Sequence, residues 1–578
     1  MNLKRMINGS FVWRFIAAVM SGGLLASAFP PIESSEAAWV AFIPILLIAK
    51  FSNPVSSFRW GFFSGLIFWL TTLSWLFCLS ETWGPLAVVI LSWIALSSYC
   101  ALYTGAFAMV VSRALRNGES EIPQSGTSPQ PAPPRRGPKS EIVRNLGFLA
   151  IVPLLWVGFE YLRSNLFSGF PWNALGISQY RSISIIQVAE WGGVYAVSAL
   201  LMFMNTALSL TVFRIVDFYK NRRRTRLHVE LIIGCLVCIL CWQHGKKTVK
   251  RLWQENTGRR KVRIAAIQPN IPQYKKWREE IIPEIYCELK KQTELALVSQ
   301  PQMVVWPETA VPDSVTTDSD SLSLVKELAH EGAPILVGAM EVEWLTIDRF
   351  LCYNSSFLFN TDGEIAGCYR KRHLVPFGEY LPLDKKITLL QKLAPLQFTC
   401  TPGKRATVFR LEKPGKSTIL LRQEATEDKS TILFSVLICF EDIMAYLARD
   451  YVRNGARLLI NQTNDAWFDG SSAAVQHMSH CVFRCVENRV GAVRCANTGV
   501  TCFIDRTGLI DGITRGMLAK KETHLANYRT GDVSIAADNM PLTFYTKFGD
   551  LPFALPCGIM SGLIFVFMIV RLKKTSLH

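Results

Sequence analysis

A chain of 578 residues, half of them hydrophobic and with a mean hydropathy of +0.22, is too long for one core and too apolar for an ordinary soluble protein, so membrane spans are expected. Its formal charge of +17 suits a nucleic-acid partner or cytoplasmic membrane loops, and position along the chain decides between them. Fifteen cysteines without regular spacing fit neither a zinc module nor a small disulfide scaffold.

Apolar runs at residues 15–29, 37–49, 60–79, 85–111, 146–161, 191–213, 231–242 and 554–570 predict eight spans. The third, fourth and sixth reach the roughly 20 residues a helix needs to cross the hydrocarbon, whereas the second and seventh fall short. The first follows Lys4 and Arg5 and ends in Ala26-Ser27-Ala28, so a cleaved signal peptide is an alternative that leaves the later topology unchanged. Basic residues favour the cytoplasmic side of a span. They gather at Arg113, Arg116, Arg135, Arg136, Lys139 and Arg144, at Lys220, Arg222, Arg223, Arg224 and Arg226, and at Arg571, Lys573 and Lys574, all in loops that eight spans place inside. Loops 30–36 and 80–84 have none. The positive charge is therefore a topology signal, and no nucleic acid is expected.

This organisation gives a transmembrane helical domain over 1–244, an extracytoplasmic water-soluble domain over 245–553, and a last helix with a cytoplasmic tail over 554–578. Lys246, Lys247, Lys250 and Arg251 open the middle domain on the wrong side of the charge rule, but large domains translocate largely regardless of such charges. Residues 117–139, rich in Pro, Ser and Gly, read as a disordered cytoplasmic loop. In the water-soluble stretch, strands are expected at 262–268, 303–306, 335–340, 352–359, 435–440, 458–462 and 500–504, and helices at 279–297, 321–330, 444–454 and 474–490. Such alternation predicts an α/β layered fold.

Three sites stand where strands end, the usual place for catalytic groups in α/β folds. Val304-Val305-Trp306-Pro307-Glu308 puts a carboxylate just past an apolar strand. Tyr369-Arg370-Lys371-Arg372-His373-Leu374 offers a cation, and Val436-Leu437-Ile438-Cys439-Phe440-Glu441 a thiol. A thiol is a weak nucleophile until a base takes its proton, and attack on a carbonyl creates an oxyanion that an ammonium and a backbone N–H can stabilise. Glu308, Lys371 and Cys439 fit those roles, with the Phe440 N–H as second oxyanion donor. Each also has a structural reading: Cys439 as a small core hydrophobe, Glu308 capping a helix from Thr309, Lys371 on a solvated face.

Trp306-Pro307-Glu308-Thr309, Tyr369 to Leu374 and Ile438 to Glu441, in that order, resemble the nitrilase superfamily. With Gly169-Phe170-Pro171-Trp172-Asn173, Gln268-Pro269-Asn270-Ile271-Pro272-Gln273 and Asn464-Asp465-Ala466-Trp467-Phe468, the chain is similar over almost its whole length to the membrane-embedded apolipoprotein N-acyltransferase family. The resemblance implies a polytopic all-α membrane domain joined to an α-β-β-α sandwich. It implies a ping-pong reaction in which Cys439 takes an acyl group from a phospholipid and passes it to the N-terminal diacylglyceryl-cysteine of a lipoprotein. Glu308 is then the base, Lys371 the oxyanion support and Cys439 the nucleophile. Glu379 and Glu441 match supporting carboxylates, and Trp277 and Trp172 match aromatic positions near the acyl chain, with interfacial anchoring as the alternative for both. The enzyme would be a monomer of the bacterial inner membrane, facing the periplasm, with no cofactor and no metal.

Two features depart from the family pattern: Phe440 stands where a tyrosine is expected, and the stretch 413–429 is longer and more charged. A Cys-His site using His373, His477 or His480 is a competing arrangement. Cys235, Cys238 and Cys241 read as packing residues, and Asn464-Asp465 as turn-forming. A membrane-tethered amidase and a transporter with a regulatory soluble domain are the competing functions, the second kept open by Glu160 and Glu190 near span ends.

Overall fold

The computed structural model describes residues 11–81, 85–116, 138–221, 228–256, 260–317, 319–382, 399–412, 417–420, 431–468, 470–511, 525–537 and 539–575. The N-terminal helices are α1 Phe11–Ser27, α2 Ile43–Phe51, α3 Pro54–Thr72, α4 Leu86–Arg116, α5 Pro138–Asn165, α6 Ala189–Asn221 and α7 Val229–Asn256. Among the described residues five helices are long and apolar enough to cross a membrane: α4, α5, α6, α7 and a C-terminal helix over residues 554–575. A sixth is counted if α3 and the 3-10 segment after it, bent by 48°, make one broken span.

The expected count of eight is thus not met. The second apolar run folds as a 3-10 turn, Ser35–Trp39, and the nine-residue α2. At 1.5 Å per residue α2 covers about 14 Å of a hydrocarbon layer about 30 Å thick. Its end is set locally, because Asn53 caps α3 by accepting from Ser56 N (2.8 Å) and Pro54 opens that helix. The seventh run errs the other way. The α7 helix continues through Lys246, Lys247, Lys250 and Arg251 to Asn256, beyond the boundary drawn at 244. Of residues 117–139 only the last two lie within the described residues, and they open α5.

The second unit contains two sheets. One runs β13-β1-β2-β3-β4-β5 and the other β12-β11-β10-β9-β8-β6-β7, with β1 Lys261–Gln268, β2 Met303–Val305, β3 Ile335–Thr346, β4 Arg349–Phe359, β5 Ile365–Arg370, β6 Val408–Leu411, β7 Ser417–Leu420, β8 Ile432–Ile438, β9 Leu458–Thr463, β10 Gly491–Ala496, β11 Cys502–Ile504, β12 Ile510–Asp511 and β13 Asn527–Ser534. The centres, β1-β2-β3 and β8-β9-β10, are parallel, and the apolar runs of their strands are buried, with Lys261 and Arg263 of β1 and the far end of β3 left exposed. Helices α8 Ile282–Leu297 and α9 Asp320–His330 cover the first sheet; α10 Ala445–Arg453 and α11 Ala473–Asn488 pack on the second. The sheets meet face to face: the Cys495 thiol donates to Ile267 O and Val305 O (3.2 Å each), and Gln462 Nε2 to Trp306 O (2.6 Å). This is the expected four-layer sandwich. Of residues 413–429, only β7 is described, as an edge strand.

The two units share buried polar joints. Arg489 Nη2 lies 2.8 Å from Glu190 Oε2, Arg489 Nη1 donates to Gln187 Oε1 (2.5 Å), and Val194 N donates to Glu487 Oε1 (3.1 Å). Glu190 also faces His244 at 3.0 Å. The C-terminal helix, α12 Ala554–Thr575, packs back against α5.

Candidate active site

Three strands deliver the expected residues to one place, where Glu308 and Lys371 are buried and Cys439 is partly exposed. β2 stops at Val305, and Pro307 and Glu308 turn out of it; no helix starts at Thr309, the next being α9, so Glu308 is not a helix cap. Gly338 on neighbouring β3 lets that turn lie close, since a Cβ there would strike Pro307 O and Glu308 Cα. Lys371 follows β5 and is only 1% exposed, which rules out the solvated face. Strand β8 ends at Ile438 rather than at residue 440. Cys439 and Phe440 begin a 3-10 turn instead, with Cys439 at φ +51°, in the left-handed region that costs a β-carbon residue strain.

The Lys371 ammonium sits 2.8 Å from Glu379 Oε1 and 3.3 Å from Glu308 Oε1. Burial works to lower its pKa, but the Glu379 and Glu308 carboxylates outweigh that and hold it well above the ordinary lysine value, as a fixed cation. Asn354 on β4 links the same carboxylates, donating to Glu308 Oε1 (2.8 Å) and Glu379 Oε1 (2.9 Å). Hydrogen bonds among the described residues reach Glu308 only through Oε1, so Oε2 has room for a proton. Lys276, buried, donates to Glu308 O (3.3 Å) and Thr309 Oγ1 (2.7 Å).

Burial pushes the Cys439 thiol well above its usual range; Glu308 adds to that and Lys371 opposes it. The resting thiol is therefore protonated and needs a base. Glu441 secures the turn: Ile438 N (2.8 Å), Arg372 N (2.7 Å), His373 N (3.0 Å) and the Tyr369 hydroxyl (2.8 Å) all donate to it. A carboxylate so fully engaged joins the nucleophile turn to the segment after Lys371.

Beneath Cys439 lies a second ionic cluster. His477 Nδ1 is 2.9 Å from Asp465 and its Nε2 2.9 Å from Asp442, while Arg494 reaches Asp442 (2.7 Å) and Asp465 (2.8 Å). Cys439 O accepts from Asn461 Nδ2 (3.1 Å) and His477 Nε2 (3.2 Å). Burial pulls the His477 pKa down, but the Asp442 carboxylate, joined by Asp465 against Arg494, raises it to about 9. An imidazolium has no lone pair to receive a thiol proton. His373 pairs with the Tyr446 hydroxyl (3.1 Å), and His480 packs on Trp172 at 5.8 Å. Glu308 is the carboxylate whose charge acts most on the Cys439 thiol.

Trp172 is no interfacial anchor. It is 2% exposed, donates from Nε1 to Gln476 Oε1 (2.7 Å), and stacks on Phe440 at 6.3 Å. Trp277 is 45% exposed, and its neighbour Lys276 is the residue that enters the site. Asn464 does hold a turn, accepting from Ala466 N (3.2 Å), whereas Asp465 belongs to the ionic cluster. Asn354, Lys276, the cationic state of His477, and Arg494 escaped the sequence reading, in which His477 figures only as a competing base and Lys276 stands next to the singled-out Trp277.

Two family models match the chain: Apolipoprotein N-acyltransferase N-terminal domain over residues 21–207, and Carbon-nitrogen hydrolase over residues 263–526. Trp172 falls in the first, and Glu308, Lys371 and Cys439 in the second. The apolipoprotein N-acyltransferase of Geobacter metallireducens is 35% identical over 98% of this chain and 96% of its own. Apolipoprotein N-acyltransferase 1 of Treponema denticola is 27% identical over 97% of each chain. Among solved structures, Saccharomyces cerevisiae Nit3, a member of branch 10 of the nitrilase superfamily, aligns with 47% of this chain and 90% of its own, at 19% identity and a TM-score of 0.32. Two domain matches in register with the helical bundle and the sandwich, and a relative alike from end to end, make this chain a membrane protein of the apolipoprotein N-acyltransferase family.

Proposed function

We propose that the chain moves a fatty acyl group from a phospholipid, through a thioester on Cys439, to the α-amino group of an N-terminal diacylglyceryl-cysteine. The observation that carries this reading is the convergence of Glu308, Lys371 and Cys439 beside Phe440 and the membrane-side Trp172. In the first half-reaction Glu308 takes the Cys439 proton as sulfur attacks the ester carbonyl. The Lys371 ammonium and the Phe440 N–H receive the oxyanion. The C–O bond then breaks, the proton returns from Glu308 to the leaving alkoxide, and a lysophospholipid departs. In the second half the acceptor amine attacks the thioester, its proton passes to Glu308, and Cys439 regains it as a thiol. Glu379 and Asn354 position Lys371; Glu441 holds the turn; Phe440 and Trp172 wall the acyl side, with Trp277 at its edge.

Topology follows from helices that the revised count leaves intact. From the basic segment containing Arg113, Arg116 and Arg144, held inside, α5 crosses out, α6 returns to the cluster at 220–226, and α7 crosses out again to the sandwich. Then α12 returns to Arg571, Lys573 and Lys574. This parity needs no decision about α1 to α3, and it supports a catalytic unit on the periplasmic face of the inner membrane.

The test incubates purified enzyme with acyl-labelled phospholipid and no acceptor. A hydroxylamine-sensitive adduct should map to Cys439 and discharge onto a diacylglyceryl-cysteine peptide when it is added. Label on another cysteine, or N-acylation without any adduct, rejects the assignment; an amidase would hydrolyse amides and leave the peptide unacylated.

A further inference from the structure

Outside the triad, two further cysteines of the sandwich are brought together from positions far apart in sequence. Cys352 lies in β4, and Cys400 forms a bridge with it in parallel register. The pairing is anchored by Thr401 N donating to Cys352 O (2.7 Å). Residues paired across neighbouring strands bring their Cα atoms within the roughly 4.4–6.8 Å that a disulfide spans. Both are buried, and the two thiols lie close enough to shift each other's ionisation.

Their surroundings give the contact a role. Side chains alternate along a strand, so Cys352 shares a face of β4 with Asn354, which holds Glu308 and Glu379. Cys400 N donates to Glu379 O (2.8 Å) and, three residues on, Gly403 N donates to Lys371 O (2.7 Å). The backbones of two charged site residues therefore rest on the segment that begins at Cys400.

We propose that Cys352 and Cys400 are joined by a disulfide in the mature enzyme, bracing the segment that carries Glu379 against the strand that carries Asn354. This rests on the extracytoplasmic placement of the sandwich, where thiols meet an oxidising compartment. The oxidant is a disulfide of a thiol oxidoreductase in the cell, or oxidised glutathione in the test tube. One thiolate attacks the oxidant's disulfide to give a mixed disulfide, the second thiolate displaces the oxidant's remaining sulfur, and the two electrons and two protons leave with two oxidant thiols. Cys439 has no such partner among the described cysteines and stays free for its thioester.

The test has two arms that fail separately. In the first, membranes holding the full chain are quenched with N-ethylmaleimide, digested without reduction and analysed by mass. The expected result is one peptide pair, Cys352 joined to Cys400, 2 Da lighter than the sum of the free peptides, with Cys439 alkylated. In the second, purified enzyme is equilibrated in reduced and oxidised glutathione, which tests the pairing without reference to topology. A bridge that forms there but is absent from membranes overturns the disulfide in the mature enzyme and points at the topology, which a membrane-impermeant thiol reagent against exposed Cys287 then checks directly. No bridge in either arm, or Cys352 joined to Cys368, overturns the pairing itself. Cys352→Ser and Cys400→Ser should each abolish the linked pair.

Discussion

On one side of Cys439, Lys371 holds Glu308 and Glu379, and the hydrogen bonds leave Glu308 Oε2 uncommitted. On the other, His477 and Arg494 are locked between Asp442 and Asp465. Both clusters balance positive against negative charge, the second fully buried and the first buried but for a partly exposed Glu379, yet they can do different things. A carboxylate oxygen with spare capacity can take and return a proton. A cluster whose cations each bridge two carboxylates can only hold its shape, and the atom it holds is the carbonyl of the strained Cys439. Burial of charge alone therefore does not separate the two clusters; what does is that each carboxylate oxygen of Asp442 and Asp465 has a cation within 2.9 Å, whereas the ion pair of Glu308 runs through Oε1.

The comparison breaks most sharply at Glu308. Glu308→Gln keeps the size and an amide in place of the base, and thioester formation should fall by roughly 10²- to 10⁴-fold while the protein stays folded and inserted. A variant with near-normal single-turnover acylation would remove Glu308 from the proton path. Arg494→Met should act on the other cluster as a loss of stability of about 3–5 kcal/mol, because Asp442 and Asp465 lose their shared cation in a buried place. Unfolding in detergent would read it, and an unchanged midpoint would show that the cluster carries no structural load. Lys371→Met should cost about 10²-fold in acyl transfer, the effect of one oxyanion donor. If instead only lipid affinity changes, the lysine binds substrate and does not stabilise the transition state.

His477 gives the smallest effect and the most specific one. Its folded pKa of about 9 lies above the unfolded value of about 6.5, so its contribution is fully present below pH 6.5 and is lost as pH rises through about 9. His477→Asn should therefore destabilise the enzyme by at most roughly 3 kcal/mol at pH 6, a gap that closes toward pH 10. A gap independent of pH would mean that the imidazole is neutral, and the two clusters would be less different than their geometry says.

Why some of this was legible in sequence and some not follows from the range of the forces. Val436-Leu437-Ile438 reads as a buried strand because it is apolar and ends in chemistry, and the same holds for Val304-Val305. β10 was missed because Arg494 interrupts its apolar run, and the carboxylates that make an arginine tolerable there come from residues 442 and 465. β13, with Thr, Arg, Asp and Ser along it, is an edge strand without the alternation that marks a buried face. The nine-residue α2 was overcounted because hydropathy registers apolar length, whereas the Asn53 cap and Pro54 decide where the helix stops. Glu308 and Cys439 were readable because each closes a recognisable apolar strand, and Lys371 because of its motif, since β5, which it follows, was not among the expected strands. Asn354 and Lys276 act through partners that only folding supplies.

The stacking of Trp172 on Phe440, with the indole N–H on Gln476, makes the seam between the two domain matches a seam in the sequence only. A fragment cut to residues 260–553 would keep Glu308, Lys371 and Cys439 and still lack the indole that stacks on Phe440. On the proposed function such a fragment is an incomplete enzyme, in which the membrane bundle supplies a part of the acyl site and is more than a tether.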